Sequence, residues 1–303
     1  MLVRLATEAC GTRFELVLDG EDEPRARAAG EAALELVERC DQRFSVFRSD
    51  SLIARVNREA AERPVRLDPE TYALLERCSA LQRATSAAFD IAVGPLMRTF
   101  GFRRRVDEQR ESEARGTFEL DERTRAVRFT SRNTALDLGS VAKGYALELA
   151  ARSLRDNGIA CALVHGGTSS VVALGAPPGE SGWRVQLGRE SGAFVTLRDT
   201  ALSFSAPRGR TVEFAGHEVG HIFDPRSGKP VPLEMQCAVV GASALDCDAW
   251  STAALVLASR DVSWSALLPR ELAFWVRGPS GDAQILGPCS VFESLSPRSS
   301  TPR

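Results

Sequence analysis

Between Thr134 and Asn157 the chain changes its hydrophobic period. Thr134-Ala135-Leu136 is a short apolar run of the kind that forms a buried strand, whereas from Val141 onward apolar residues recur at Val141, Tyr145, Leu149, Ala150 and Leu154, the spacing of one helix face. Asn157-Gly158 ends that helix as a C-terminal stop does. In the junction, Gly139 and Gly144 permit close backbone approach. The free N–H groups of a helix start, with Lys143 one turn in, favour an anion, so a phosphate-bearing ligand is the natural occupant. Lys143 precedes Gly144 rather than following it, which excludes a Walker A loop. An ordinary strand-to-helix connection uses the same residue types, so the junction alone leaves both readings open.

The flanking chain sets the fold class. Residues 2–6 and 13–18 predict two strands broken at Cys10-Gly11-Thr12, followed by an amphipathic helix from Glu23 to Arg39 with Ala28, Ala32, Leu36 and Cys40 at helical spacing. Ser49 or Asp50 can cap a short helix ending at Asn57, and Asp68-Pro69-Glu70 opens another that runs to Thr85. Gly94-Pro95 predicts a stop to regular structure. Strands are expected at 118–121, 126–129, 161–165, 170–174, 183–187, 194–197, 219–224, 235–240, 272–276 and 283–286, with a second strong helix from Ser243 to Ala258. Strands and helices mix without steady β-α-β alternation, which predicts an α+β fold: one domain over 1–295, in one or two lobes, with a disordered tail at 296–303.

Charge and cysteine usage narrow the function. A net charge of -2 and a pI near 6.1 provide no electrostatic reason for nucleic acid or an anionic membrane as partner. Arg103-Arg104-Arg105 is followed by Asp107, Glu108 and Glu111 and reads as a solvated mixed-charge segment. Seven scattered cysteines with no C-x-x-C pair argue against a disulfide framework or a zinc site. With no apolar leader and no run of roughly 18 apolar residues, the chain as written reads as cytoplasmic; a trimmed N-terminus would allow export.

Asp248 and Thr252 stand four apart on the second helix and share a face, a carboxylate and a hydroxyl suited as hard oxygen ligands to Mg²⁺. First-turn preference and packing account for the same pair without a metal. His221, just ahead of Asp224-Pro225, fits a general base, a phosphate-orienting group or a structural hydrogen-bonder. His165-Gly166-Gly167 is similar to an esterase oxyanion loop, but no G-x-S-x-G accompanies it, which argues against a serine hydrolase.

In order, Cys10-Gly11-Thr12, Phe44 to Ser51, Phe89-Asp90-Ile91-Ala92-Val93-Gly94-Pro95-Leu96, Asp137 to Tyr145, His221-Ile222-Phe223-Asp224-Pro225-Arg226-Ser227-Gly228-Lys229-Pro230 and Asp248-Ala249-Trp250-Ser251-Thr252-Ala253 resemble the motifs of the FAD:protein FMN transferase (ApbE) family over about residues 10–260. The resemblance implies mixed or antiparallel sheets packed by helices around a central FAD cleft. It also implies Mg²⁺-dependent transfer of FMN from FAD to a Thr or Ser hydroxyl of an acceptor protein, releasing AMP.

Carried over by position, Asp248, Thr252 and the Ala142 carbonyl would hold the metal. Lys143, Gly139 and Ser140 would lie near the diphosphate; Cys10, Gly11, Thr12, Ser51, Asp90, Asp137, Gly167 and Thr168 would help hold the dinucleotide. His221 and Asp224 would border the reacting phosphate. Two rival activities use the same residues: an FAD diphosphatase giving FMN and AMP, and an FAD-binding protein without turnover. The chain departs from the family pattern at 165–169, where an acidic residue is missing, and at Ala92, Ser140 and 204–206.

Overall fold

The computed structural model describes residues 1–20, 22–104, 113–188, 193–260, 264–288 and 292–294; the expected tail at 296–303 lies outside them. Strands β1 (Leu2–Ala9) and β2 (Thr12–Asp19) lead into helices α1 (Glu23–Phe44) and α2 (Leu52–Glu59). Strand β3 (Val65–Arg66), helices α3 (Pro69–Ala84) and α4 (Gly94–Thr99), and strands β4 (Phe118–Asp121) and β5 (Ala126–Phe129) come next. Helix α5 (Ala142–Asp156) precedes β6 (Cys161–Gly166), β7 (Ser170–Leu174), β8 (Trp183–Gln186), β9 (Ala193–Leu197) and β10 (Ala201–Ser205). The hairpin β11 (Thr211–Phe214) and β12 (His217–Gly220), strand β13 (Gln236–Gly241), helix α6 (Ala244–Ala258), and β14 (Ala273–Arg277), β15 (Ala283–Leu286) and β16 (Phe292–Ser294) complete the order.

The main sheet is antiparallel, with order β1-β2-β6-β7-β10-β13-β14-β15. Helices α1, α5 and α6 cover one face; the small sheet β16-β9-β8 covers the other. Double cover explains why β7 is apolar at almost every position: Val172 and Leu174 join the helix-side core, while Val171 and Ala173 join the core against β8 and β9. A third cluster, Met97, Phe102, Val219 and Phe223, ties α4 to the β11–β12 hairpin.

Several local expectations are corrected. Thr134–Leu136 is buried but is not a strand, because no ladder forms along it: Asn57 donates to the Leu136 carbonyl at 2.9 Å and accepts its N–H at 2.7 Å, and the Ala135 carbonyl accepts the single Gly94 N–H at 3.0 Å. Helix α1 runs to Phe44 and buries Ala26, Ala29, Ala33, Val37 and Cys40, leaving Ala28 and Ala32 outside. Small residues on both faces of α1 made its periodicity ambiguous. The cap of α2 is Ser51, which accepts the Ala54 N–H, rather than Ser49 or Asp50. Gly94-Pro95 opens α4 instead of ending order, since proline fits the first helical turn.

Strand β10 was not foreseen, and its composition shows why. Its alternate residues Ser203 and Ser205 turn hydroxyls toward Ser251 of α6, so beyond Ala201 its inner face has no apolar signal.

Candidate active site

A cleft of about 510 Å³ lies between the start of α5, the ends of the central strands, α6 and the hairpin β11–β12. Its floor is Asp248, 3% exposed, with Thr252 one turn further along the same face of α6. Asp248 Oδ2 accepts the Gly144 N–H at 2.7 Å, and Oδ1 accepts the Ser170 hydroxyl at 2.8 Å. Gly144 makes this possible, since a Cβ there would stand 2.3 Å from the Ala244 carbonyl oxygen. Its small size therefore serves the crossing of α5 and α6 rather than approach to a ligand.

Val141 provides no side-chain cap for helix α5; the Ala142 N–H donates to the Leu138 carbonyl at 2.8 Å and the Gly144 N–H to Asp248, and the positive end of the helix reaches the cleft wall at Gly139, Ser140 and Lys143. His221 faces the same space. Its Nδ1 lies 3.1 Å from the Arg210 carbonyl and 3.3 Å from that of Pro207; carbonyls only accept, so Nδ1 carries the proton and Nε2 the lone pair. Burial lowers the His221 pKa below its ordinary value of 6.5, with Lys143 and Arg210 opposing a further positive charge, so the ring is neutral at pH 7. Burial and then Asp41 push the Cys10 thiol up to about 11, which leaves it protonated and a poor nucleophile. Burial also raises Asp90, whose carboxylate accepts the Ala92 N–H.

At the mouth, Arg103 Nη2 lies 2.7 Å from Asp137 Oδ2, and its guanidinium stands over the exposed Phe47 ring at 4.4 Å. The contact is ionic but poorly aligned as a hydrogen bond, leaving Asp137 Oδ2 and Arg103 Nε as buried polar atoms without one. Arg103 is thus part of the cleft, not of a solvated run; Arg105 and the acids after it lie outside the described residues.

The family model described as the ApbE family matches residues 10–272. The chain belongs to the ApbE family. It is 26% identical over 267 residues to an FAD:protein FMN transferase of Klebsiella pneumoniae (strain 342), covering 82% of this chain and 76% of that one. It is 25% identical over 276 residues to the enzyme of the same name from Escherichia coli (strain K12), covering 84% and 78%. The crystal structure of the ApbE protein from Thermotoga maritima MSB8 superposes with a TM-score of 0.83 at 25% identity, covering 94% of this chain and 97% of that one. The α+β architecture is the one that family shares.

Against the family-derived expectations, Cys10, Gly11, Thr12, Asp90, Asp137, Gly139, Ser140, Lys143, Thr168, His221, Asp248 and Thr252 all line the cleft. Four residues are placed elsewhere. Ser51 is buried as the α2 cap, its hydroxyl accepting from Ala54 and donating to the Ser45 carbonyl. Gly167 supports the wall from behind: at φ +63, with a Cβ position 2.4 Å from Thr12 Oγ1, only glycine fits.

Asp224 is turned away into its own turn, where it accepts from the Arg226 and Ser227 side chains and the Arg226 N–H and pairs with Arg260. It shapes the turn behind Pro225, which does line the cleft. Ala142 is buried in the first turn of α5 beside Lys143. Residue reasoning also passed over Phe47, Arg103, Ser203, Ser205 and Arg210, all in the cleft walls. Phe47, Arg103 and Ser205 lay in stretches already singled out; Ser203 and Arg210 had no local signal.

Proposed function

We propose that this chain is a transferase that moves the FMN moiety of FAD to a threonine or serine hydroxyl of an acceptor protein, releasing AMP, with Mg²⁺ held at Asp248 and Thr252. The observation carrying this reading is that His221, its Nδ1 held by the Arg210 and Pro207 carbonyls, lies in the same cleft as Asp248, Thr252 and Lys143.

The donor set fits the metal. Among the described residues no group of three or more His, Cys, Asp or Glu gathers anywhere. The Asp248 carboxylate and the Thr252 hydroxyl are hard oxygen donors in the cleft that leave room for water and phosphate oxygens, as Mg²⁺ prefers. Bound there, Mg²⁺ would neutralise charge on the diphosphate. Lys143, at the positive end of α5, binds the same phosphates and holds them in place.

His221 acts as general base through Nε2. It takes the proton of the acceptor hydroxyl as that oxygen bonds to the FMN phosphorus and the bond from phosphorus to the AMP oxygen breaks. The Arg210 and Pro207 carbonyls keep its other nitrogen protonated and the ring aimed. No helix among the described residues is long and apolar enough to cross a membrane.

The test is to incubate the protein with FAD, Mg²⁺ and a threonine-bearing flavinylation-motif acceptor, following AMP by chromatography and the acceptor by mass spectrometry. AMP with an FMN-sized mass gain is expected. AMP without the adduct would replace transfer with diphosphatase action, and bound FAD left intact with a competent acceptor would reduce the chain to a binding protein.

A further inference from the structure

We infer that Ser170 is a positioning residue for the metal site: its hydroxyl fixes the Asp248 carboxylate so that the remaining oxygen lone pairs face the cleft. The inference rests on the metal reading above.

Asp248 is nearly sealed from water, so protein groups must set the rotation of its carboxylate. Two donors do so, and they come from different layers. The Gly144 N–H belongs to the first turn of α5, while Ser170 is the first residue of β7 and is itself 1% exposed. A carboxylate only accepts, so the Ser170 proton lies on the bond to Oδ1. Each oxygen then has one donor, and neither is blocked for a further ligand. With Gly144 alone, the group would keep one anchor and could turn about it.

The main chain at this point is held as firmly. Ser251 donates to the Asp248 carbonyl at 3.0 Å, and its oxygen also receives Ser203 at 3.0 Å and Ser205 at 2.7 Å. Since the one Ser251 proton goes to that carbonyl, the two β10 hydroxyls are the donors. Helix α6 is thus locked to β10 through Ser251, and its carboxylate to β7 through Ser170. The chain has no acidic residue from 165 to 170, so the side-chain partner that orients Asp248 is neutral and leaves its full negative charge for a cation. Outer groups of this kind affect metal affinity by about 10–100-fold.

The test is Mn²⁺ binding to the full chain, with free Mn²⁺ read by electron paramagnetic resonance, for the natural protein, Ser170→Ala, Ser170→Thr and Asp248→Asn. Ser170→Ala is expected to weaken binding by about 10-fold and Ser170→Thr to restore it, with FAD binding in EDTA and the circular dichroism spectrum unchanged. Equal or tighter Mn²⁺ binding by folded Ser170→Ala would overturn the inference alone. No Mn²⁺ binding by the natural protein, or equal binding by Asp248→Asn, would overturn the metal reading and the inference with it. Should Ser170→Ala fail to fold, Ser170→Cys takes its place, its weakly donating thiol being expected to weaken Mn²⁺ binding likewise.

Discussion

The floor and the mouth of the cleft are built from opposite materials. At the floor, Asp248 sits among short hydroxyl side chains on regular elements, Ser170 on β7 and Ser251 on α6, each directed hydrogen bond leaving little freedom. At the mouth, long side chains from less regular backbone meet: Arg103 after α4, Phe47 before α2 and Arg210 before β11, held by ionic and cation–π contacts that tolerate displacement. Short, aligned donors on rigid elements suit a group that must hold a metal in one place, and loosely aligned charges with free polar atoms suit a surface that receives a ligand.

The contrast is open to direct attack. Asp248→Asn keeps the shape of the floor but removes its charge, and is expected to lower Mg²⁺-dependent AMP release by on the order of 1,000-fold, measured at saturating FAD with stability followed by thermal denaturation. Arg103→Met acts at the mouth through stability: it leaves Asp137 buried without its cation and should cost about 3 kcal/mol in urea unfolding.

His221→Ala is expected to reduce kcat by on the order of 100-fold with little change in FAD affinity. Because burial lowers its pKa, the natural enzyme should lose activity only as pH falls through a value below the ordinary 6.5, and a limb above 6.5 would contradict the neutral-base assignment. The sign for stability is the same. Below 6.5 the unfolded chain binds this proton before the folded one, so stability declines from 6.5 downward to the lowered folded pKa, a slope that His221→Gln should flatten. The smallest effect belongs to Phe47→Leu, which removes the ring under Arg103 and should cost about 0.5–1 kcal/mol of stability while leaving Mn²⁺ affinity unchanged. A large loss of Mn²⁺ binding there would erase the distinction between floor and mouth.

Much of the architecture was legible in the chain because its signals are local. Asp68-Pro69 starts α3, Ser243 caps α6, and the β4–β5 hairpin stands where 118–121 and 126–129 place it, each encoded within a few residues. The cleft residues followed from ordered motifs rather than from periodicity: most of them line one cleft, whereas Asp224 and Ser51 bond within their own turns. A motif preserves residue type without saying whether a carboxylate or hydroxyl faces a ligand or its own turn.

By itself the sequence determined the α+β class, the helix that follows the junction at Gly139, and the pairing of Asp248 with Thr252 on one helix face, since these depend on spacing along the chain. Only the tertiary structure decided that Gly144 and Ser170 would grip the same carboxylate, that Arg103 would fold into the cleft, and that Asn57 would stand in for a neighbouring strand. The reason is distance along the chain. The bonds to Asp248 span 104 and 78 residues, and no local preference of Gly144 or Ser170 distinguishes them until the sheet order and the crossing of α5 and α6 bring them together.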